Sequence, residues 1–319
     1  MDNKEKYKEF AKKEKLPIFM QPYWLDSVCE GDMEWNVMLY EKGGEIWGSF
    51  VYVIKKKYGF TLITMPKLTQ FLGPYIKYPK GQKYYKKLSW EKEIMNYFID
   101  NLPKFDYFNM NFHYSITNWL PFYWRGFKQT TRYTYVIEKN IDLEILSKNF
   151  ETDIRRRRRR KAYNMGIKVY ENEDIKKFYE LNKMTFIRQD KKIPYSFEFI
   201  KNLYESCKKN STCKMFFAKN KDGVVIAGNF LIYDENTVYY LIGGIEPNYK
   251  DLGGMDVVLY ESIKFALESG RNFDFEGSMI DSIEKYFRSF GAIQKPYFNI
   301  FKVNSNILKI RNCLKEIFK

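Results

Sequence analysis

The polypeptide repeats itself, and this constrains its fold more than any other feature of the sequence. "FDYFNMNF" followed by "YWRGFKQTTRYTYVI", Phe105 to Ile137, aligns with "FDFEGSMI" followed by "YFRSFGAIQKPYFNI", Phe273 to Ile300. Tyr123, Arg125 and Phe127 fall on Tyr286, Arg288 and Phe290. Further upstream, "VMLYEKGGEIWGSFVYVI" matches "MFFAKNKDGVVIAGNFLIY", each a strand, a Gly-bearing turn and a strand. "SWEKEIMNYFIDNL" and "DVVLYESIKFALESG" both carry apolar residues at helical spacing ahead of the Phe-Asp strand. Each half therefore reads hairpin, further strand, helix, strand, short helix, strand. A fixed internal period of this kind predicts two copies of one mixed α/β unit.

The copies differ in the middle. The first inserts "MPKLTQFLGPYIKYPKGQKYYKKL" before its helix, whereas the second runs from "TVYYLIGGIEP" through "NYKDLGGMD" directly into its helix. A short Gly turn at a helix start leaves backbone N–H groups free, and the helix dipole favours an anion there. Gly253 and Gly254 sit at that turn, with the cation Lys250 just before them. An ordinary tight turn also reads this way. The second copy is the better candidate for donor binding, the first for substrate or scaffold.

Bulk chemistry narrows the choices. The chain has 319 residues, enough for two domains. Lys plus Arg is 54 against 39 for Asp plus Glu, a net charge of +15, which draws anions at long range without naming them. Histidine occurs once, as His113, so a His-based zinc cluster is excluded and any His-dependent triad would need that residue. Cys29, Cys207, Cys213 and Cys313 contain no C-x-x-C, and reduced thiols in the cytosol are expected. The charged N-terminus has no apolar signal region, and no apolar run reaches the roughly 18 residues of a membrane span. A cytoplasmic location is expected; the basic amphipathic C-terminal segment "NILKIRNCLKEIFK" is expected to pack on its own domain, with peripheral contact at the inner face of the membrane as the alternative.

Arg155 to Arg160 and Lys161 make one basic run at the join between copies. On a helix, each like-charge pair three or four apart costs roughly 0.2–0.5 kcal/mol. An anion alongside would relieve that repulsion, and arginine grips phosphate bidentately. A solvated helix face is the plain alternative.

Four segments carry a family resemblance: "MQPYWLDSVC", "RRRRRRKA", "YKDLGGMD" and "FDFEGSMIDSIEKYFRSFGA". Over nearly its whole length the chain resembles a GNAT-superfamily acyltransferase of the FemABX-like branch, which has tandem GNAT-like halves. The resemblance implies an α/β fold, each half a mixed, mostly antiparallel sheet flanked by helices. It implies a substrate or scaffold half at 1–145, a donor-binding half at 146–319 and a basic joining helix at 150–165. GNAT enzymes bind the coenzyme A pyrophosphate through Gln/Arg-x-x-Gly-x-Gly/Ala. Gly253 fits that pattern, Lys250 stands in for its Gln/Arg as a cation, Gly254 lies within it, and Met255 departs from it. Backbone N–H groups from Leu241 through Gly243 to Gly244 would polarise the donor carbonyl. The family's joining pattern maps onto Arg156, Arg157, Arg160 and Lys161 as substrate-binding residues, with Arg159 where an apolar residue is usual. Many GNAT enzymes use a Tyr acid where this chain has Phe287, with Tyr286 beside it. Glu276 and Ser278, after the Phe-Asp strand, are the catalytic candidates. Arg188 and Tyr195, in "FIRQDKKIPYS", are further substrate candidates.

The expected activity is N-acyl transfer from acyl-CoA, such as acetyl-CoA, to a primary amine of a cell-envelope or nucleotide-sugar precursor. No tightly bound cofactor and no metal are expected. A phosphate-bearing small-molecule donor and an amine acceptor are the expected partners. The alternative is Fem-type aminoacyl transfer from aminoacyl-tRNA to a peptidoglycan precursor. A different class is a non-catalytic protein that binds RNA or an anionic membrane.

Overall fold

Twelve strands and eleven α-helices are laid out in a computed structural model that describes residues 2–151 and 157–317. The chain forms two compact units, residues 1–132 with 296–319, and residues 133–295.

Unit 1 begins with α1 (Asn3–Lys13) and α2 (Pro22–Val28). The hairpin β1 (Met33–Lys42) and β2 (Glu45–Lys57) turns at Gly43 and Gly44, both at positive φ (62° and 78°), as a tight two-residue turn between twisted strands requires. β3 (Phe60–Ile63) follows. The Pro-containing insertion adds β4 (Gly73–Ile76), which pairs with β2. Then come α3 (Tyr84–Asp100), β5 (Tyr107–Asn111), the short α4 (Leu120–Trp124) and β6 (Lys128–Ile137). Phe50, Phe98, Phe108, Phe112, Phe122 and Phe127 make the core, much of it edge-to-face, as ring quadrupoles prefer.

The chain continues through α5 (Leu143–Lys148), α6 (Arg157–Asn164), β7 (Lys168–Glu171), α7 (Ile175–Arg188) and α8 (Phe197–Lys209). β8 (Cys213–Lys219), β9 (Val225–Tyr233), β10 (Thr237–Ile245), α9 (Gly254–Glu268), β11 (Asn272–Asp274) and α10 (Asp281–Arg288) repeat the plan of unit 1. β12 (Ile293–Val303) and α11 (Asn306–Ile317) close the chain.

Pairing makes the duplication explicit. In unit 1, β1–β2 and β2–β3 are antiparallel and β3–β5 is parallel. In unit 2, β8–β9 and β9–β10 are antiparallel and β10–β11 is parallel. The last strand of each copy, however, serves the other copy's sheet. β5 takes β12 as its antiparallel neighbour, Asn299 opposite Asn111, and β11 takes β6, Phe273 opposite Ile137. This exchange is why the units differ from the expected 1–145 and 146–319. Residues 296–319 return to unit 1, and unit 2 begins within β6.

Of the joining segment expected as a helix at 150–165, α6 covers Arg157–Asn164 and Ala162 is its buried residue. At Arg159, where an apolar residue is usual, the side chain packs against aromatic rings. Its guanidinium lies 3.8 Å over the Tyr260 ring and 5.7 Å from Phe150, so a flat cation replaces an apolar side chain. A cation–π contact of this kind is worth roughly 0.5–2 kcal/mol.

Candidate active site

β10 organises the site. Against β9, Tyr240 pairs with Leu231 and Ile242 with Phe230, so Leu241 is an extra residue in a β-bulge. Against β11, β10 pairs only from Thr237 to Tyr239. Beyond Tyr239 the two strands part, and α7 covers the freed edge. Asn182 Nδ2 donates to the Gly243 carbonyl at 2.7 Å, and the Ile245 N–H donates to Thr185 Oγ1 at 3.1 Å. In a strand, N–H and C=O of one residue point to the same side. The Gly243 N–H therefore lies on this same edge.

A cavity of about 360 Å³ opens here. Tyr240, Gly243 and Ile245 of β10 line it, with Lys250, Gly253, Met255 and Asp256 of the turn into α9. Arg158, Thr185, Arg188 and Gln189 add polar groups, and Ser282, Ile283, Tyr286 and Phe287 of α10 close it. Arg158, Arg188 and Lys250 make no ion pair with any described residue, so three positive charges stand against the one carboxylate of Asp256. Such a wall selects an anionic ligand.

The turn itself departs from a simple phosphate cradle. Gly253 is left-handed at φ 77° and caps α9, packed under the Arg158 carbonyl and Ala162. A Cβ on Gly254 would stand 2.9 Å from Ile226 Cδ1, so this glycine serves the packing of α9 on β9. Asp256 is buried in the first turn of α9, where the dipole favours negative charge, and Tyr286 donates to its Oδ1 at 3.0 Å. The chain's own carboxylate thus holds part of the position expected for a donor pyrophosphate.

Among the other expected residues, Arg188, Lys250, Gly243 and Gly253 come together around the cavity. Gly244 faces α7, where a Cβ would lie 2.5 Å from the Asn182 nitrogen, and Leu241 is buried. Both shape the site without lining it. Tyr195 is buried, and its hydroxyl donates to Asn182 Oδ1 at 2.7 Å. It therefore positions the residue that caps the Gly243 carbonyl. Arg157, Arg160 and Lys161 are exposed on α6 away from the cavity wall, and Arg156 lies outside the described residues. Arg158, one position from Arg157 and two from Arg160, reaches the wall instead.

Ser278 Oγ accepts the Ile280 N–H at 3.0 Å and so serves the turn into α10. Glu276 is more unusual. It sits just past β11 at φ 58°, a left-handed conformation costly for a residue with a side chain. Its N–H donates to Asp274 Oδ1 at 2.7 Å, the same oxygen that Thr134 bonds. Its Oε1 is buried without a hydrogen-bond partner. Burial, and then the charge of Asp274, raise its pKa well above the carboxylate range, so it is held protonated. Glu276 is not among the residues lining the cavity.

Sequence reasoning missed Tyr240 and Asp256. The Tyr240 hydroxyl lies against Gly243, where a Cβ would be only 1.9 Å away, and donates weakly to Met255 Sδ at 3.9 Å. Burial raises its pKa above the usual phenol range, so it remains a proton-bearing donor inside the cavity. His113 takes no part. Its ring packs on Phe71 and Tyr114, and burial lowers its pKa to about 4.

A bulged strand that splays from its parallel neighbour, followed by a Gly turn and a helix, is the arrangement of a GNAT-type fold. Residues 148–288 match the Acetyltransferase (GNAT) domain family. Among solved structures, FemX shares the fold with a TM-score of 0.70 at 15% identity, over 93% of this chain and 96% of that one. L-PGS from Bacillus licheniformis gives a TM-score of 0.58 at 10% identity, over 97% and 94%. The C-terminal domain of a putative lysylphosphatidylglycerol synthetase from Agrobacterium fabrum gives 0.51 at 11%, over 88% and 90%. These likenesses, all below 25% identity, show a shared GNAT-type fold. No curated protein sequence matches the chain. No helix among the described residues is long and apolar enough to cross a membrane, and these residues contain no cluster of metal-ligating side chains.

Proposed function

We propose that unit 2 transfers an acyl or aminoacyl group from a phosphate-bearing donor to a primary amine of a cell-envelope or nucleotide-sugar precursor. The carrying observation is the trio Arg158, Arg188 and Lys250, unpaired with any described residue, around the cavity at the splayed edge of β10. These side chains, more than main-chain amides, would grip the donor phosphate. The Gly243 N–H would donate to the oxygen of the acyl carbonyl, which gains negative charge as the amine adds. The Tyr240 hydroxyl, which lies against Gly243, would protonate the departing oxygen or sulfur and regain a proton from the ammonium formed as the amine adds.

Asp256 discriminates between donors. A buried carboxylate in the first turn of α9 repels a pyrophosphate bound at that turn, which weighs against coenzyme A and favours the aminoacyl ester end of a tRNA. Acyl-CoA stays as the second reading, because Lys250 and Gly253 do line the cavity and the matched family is an acetyltransferase domain. Thermal-shift titration with acetyl-CoA and filter binding with tRNA separate the two. The first reading expects tRNA binding that weakens steeply with salt and by about tenfold in Arg158→Ala with Arg188→Ala. Stabilisation by acetyl-CoA alone would install the second, and no response to either would overturn both.

A further inference from the structure

Unit 1 carries a surface that acyl transfer leaves unused. At the start of α3, Tyr84 and Tyr85 are exposed (74% and 61%), and Leu88 is exposed one turn later. The next turn brings Lys92, whose ammonium lies 4.9 Å over the Trp124 ring of α4. Trp124 is 55% exposed, and Leu120 and Tyr123 on the same short helix are exposed beside it. One face thus joins four amphipathic rings, three Tyr and one Trp, and two leucines across two packed helices. Exposed apolar clusters of this kind mark an interaction site.

Its charge is one-sided. Lys83, Lys86 and Lys92 are exposed among these rings, and Lys87 is half-buried beside the Tyr78 ring and 3.9 Å from Glu91. Of the nearby acids, Glu91 is buried and accepts from Tyr78 and Asn118, Glu93 is exposed but pairs with Lys42, and Asp100 pairs with Arg125. The outward field is positive.

We propose that the α3–α4 face of unit 1 docks on an anionic lipid bilayer surface. Tyr and Trp place an apolar body in the acyl boundary and a polar tip in the headgroups, and lysine stems reach headgroup phosphates. RNA is the competing class. It would stack on the rings too, but Leu88 and Leu120 offer it nothing, and the face is built on lysine instead of arginine. This inference stands apart from the acyl-transfer reading.

The full chain supplies its own probe, because Trp124 is the one exposed tryptophan of its six. Vesicles of phosphatidylglycerol with brominated acyl chains should quench tryptophan fluorescence, and phosphatidylcholine vesicles should not. Trp124→Phe should abolish the quenching while the protein still sediments with phosphatidylglycerol. Tyr123→Ser with Trp124→Ser should lower partitioning at least tenfold at an unchanged melting temperature and an unchanged response to tRNA or acetyl-CoA. Quenching that survives Trp124→Phe, absence of sedimentation, or a double variant that loses tRNA binding and keeps vesicle binding would each overturn the proposal.

Discussion

Positions 123–127 and 286–290 occupy the same place in the two copies and do opposite work. Phe127 and Phe290 are both buried, and Arg125 and Arg288 both pair with a carboxylate of their own unit, Asp100 and Glu284. Tyr286, however, bonds Asp256 inside a cavity, while Tyr123 faces solvent. Phe287 stacks on Phe275 at 4.9 Å as a wall of that cavity, while Trp124 stands exposed. One scaffold has thus been kept for its packing and turned inward in one copy and outward in the other. The difference arises upstream. In unit 2 a short turn leads from β10 into α9 and leaves an open edge, whereas unit 1 fills the corresponding stretch with β4 and its flanking loops.

The largest effect expected comes from removing what the copies exchange. Deletion of residues 296–319 strips β12 from β5 and should abolish cooperative folding of unit 1, visible as lost ellipticity and a lost calorimetric transition. Retention of both would show that the exchanged strand is dispensable. Next, Phe287→Ala should destabilise by about 3 kcal/mol, as for other buried aromatic truncations, and Trp124→Ala by within about 0.5 kcal/mol. Urea denaturation measures both, and equal costs would break the inward–outward contrast. Gly244→Ala should cost roughly 1–3 kcal/mol, because its Cβ meets the α7 backbone. Tyr286→Phe should cost about 1 kcal/mol against almost nothing for Tyr123→Phe. The smallest effect is one of pH. Because the folded pKa of Glu276 is raised, the unfolded chain loses this proton first, and stability falls as pH rises above the ordinary carboxylate range. Glu276→Gln should be the more stable protein at neutral pH, with the gain vanishing near pH 4. A gain of the same size at all pH values would place the benefit elsewhere.

Much of this architecture was legible in the sequence because alternation, helical spacing and Gly turns are local. Both copies, the hairpins, the Gly253 turn and α9 could be read that way. The exchanged strands could not, since β6 and β12 alternate alike and nothing local says which sheet each will join. The arginine run resisted for a similar reason. Identical neighbours cannot be phased, so Arg158 at the cavity and Arg159 on Tyr260 look the same as the exposed Arg157 and Arg160. Tyr240 was hidden because strand alternation gives a face but does not reveal that the neighbouring strand has departed. Asp256 was hidden because a first-turn acid is ordinary helix chemistry until a cavity is found beside it.

The pairing of Asn109 with Asn299 joins positions 190 residues apart. Unit 1 comes first in the chain, yet in its sheet β5 has only β3 beside it until β12 has been synthesised. During translation that edge waits bare, an invitation to mispairing that a chaperone would have to shield. The molecule should accordingly refold slowly, with unit 1 completing in step with the closure of its longest loop.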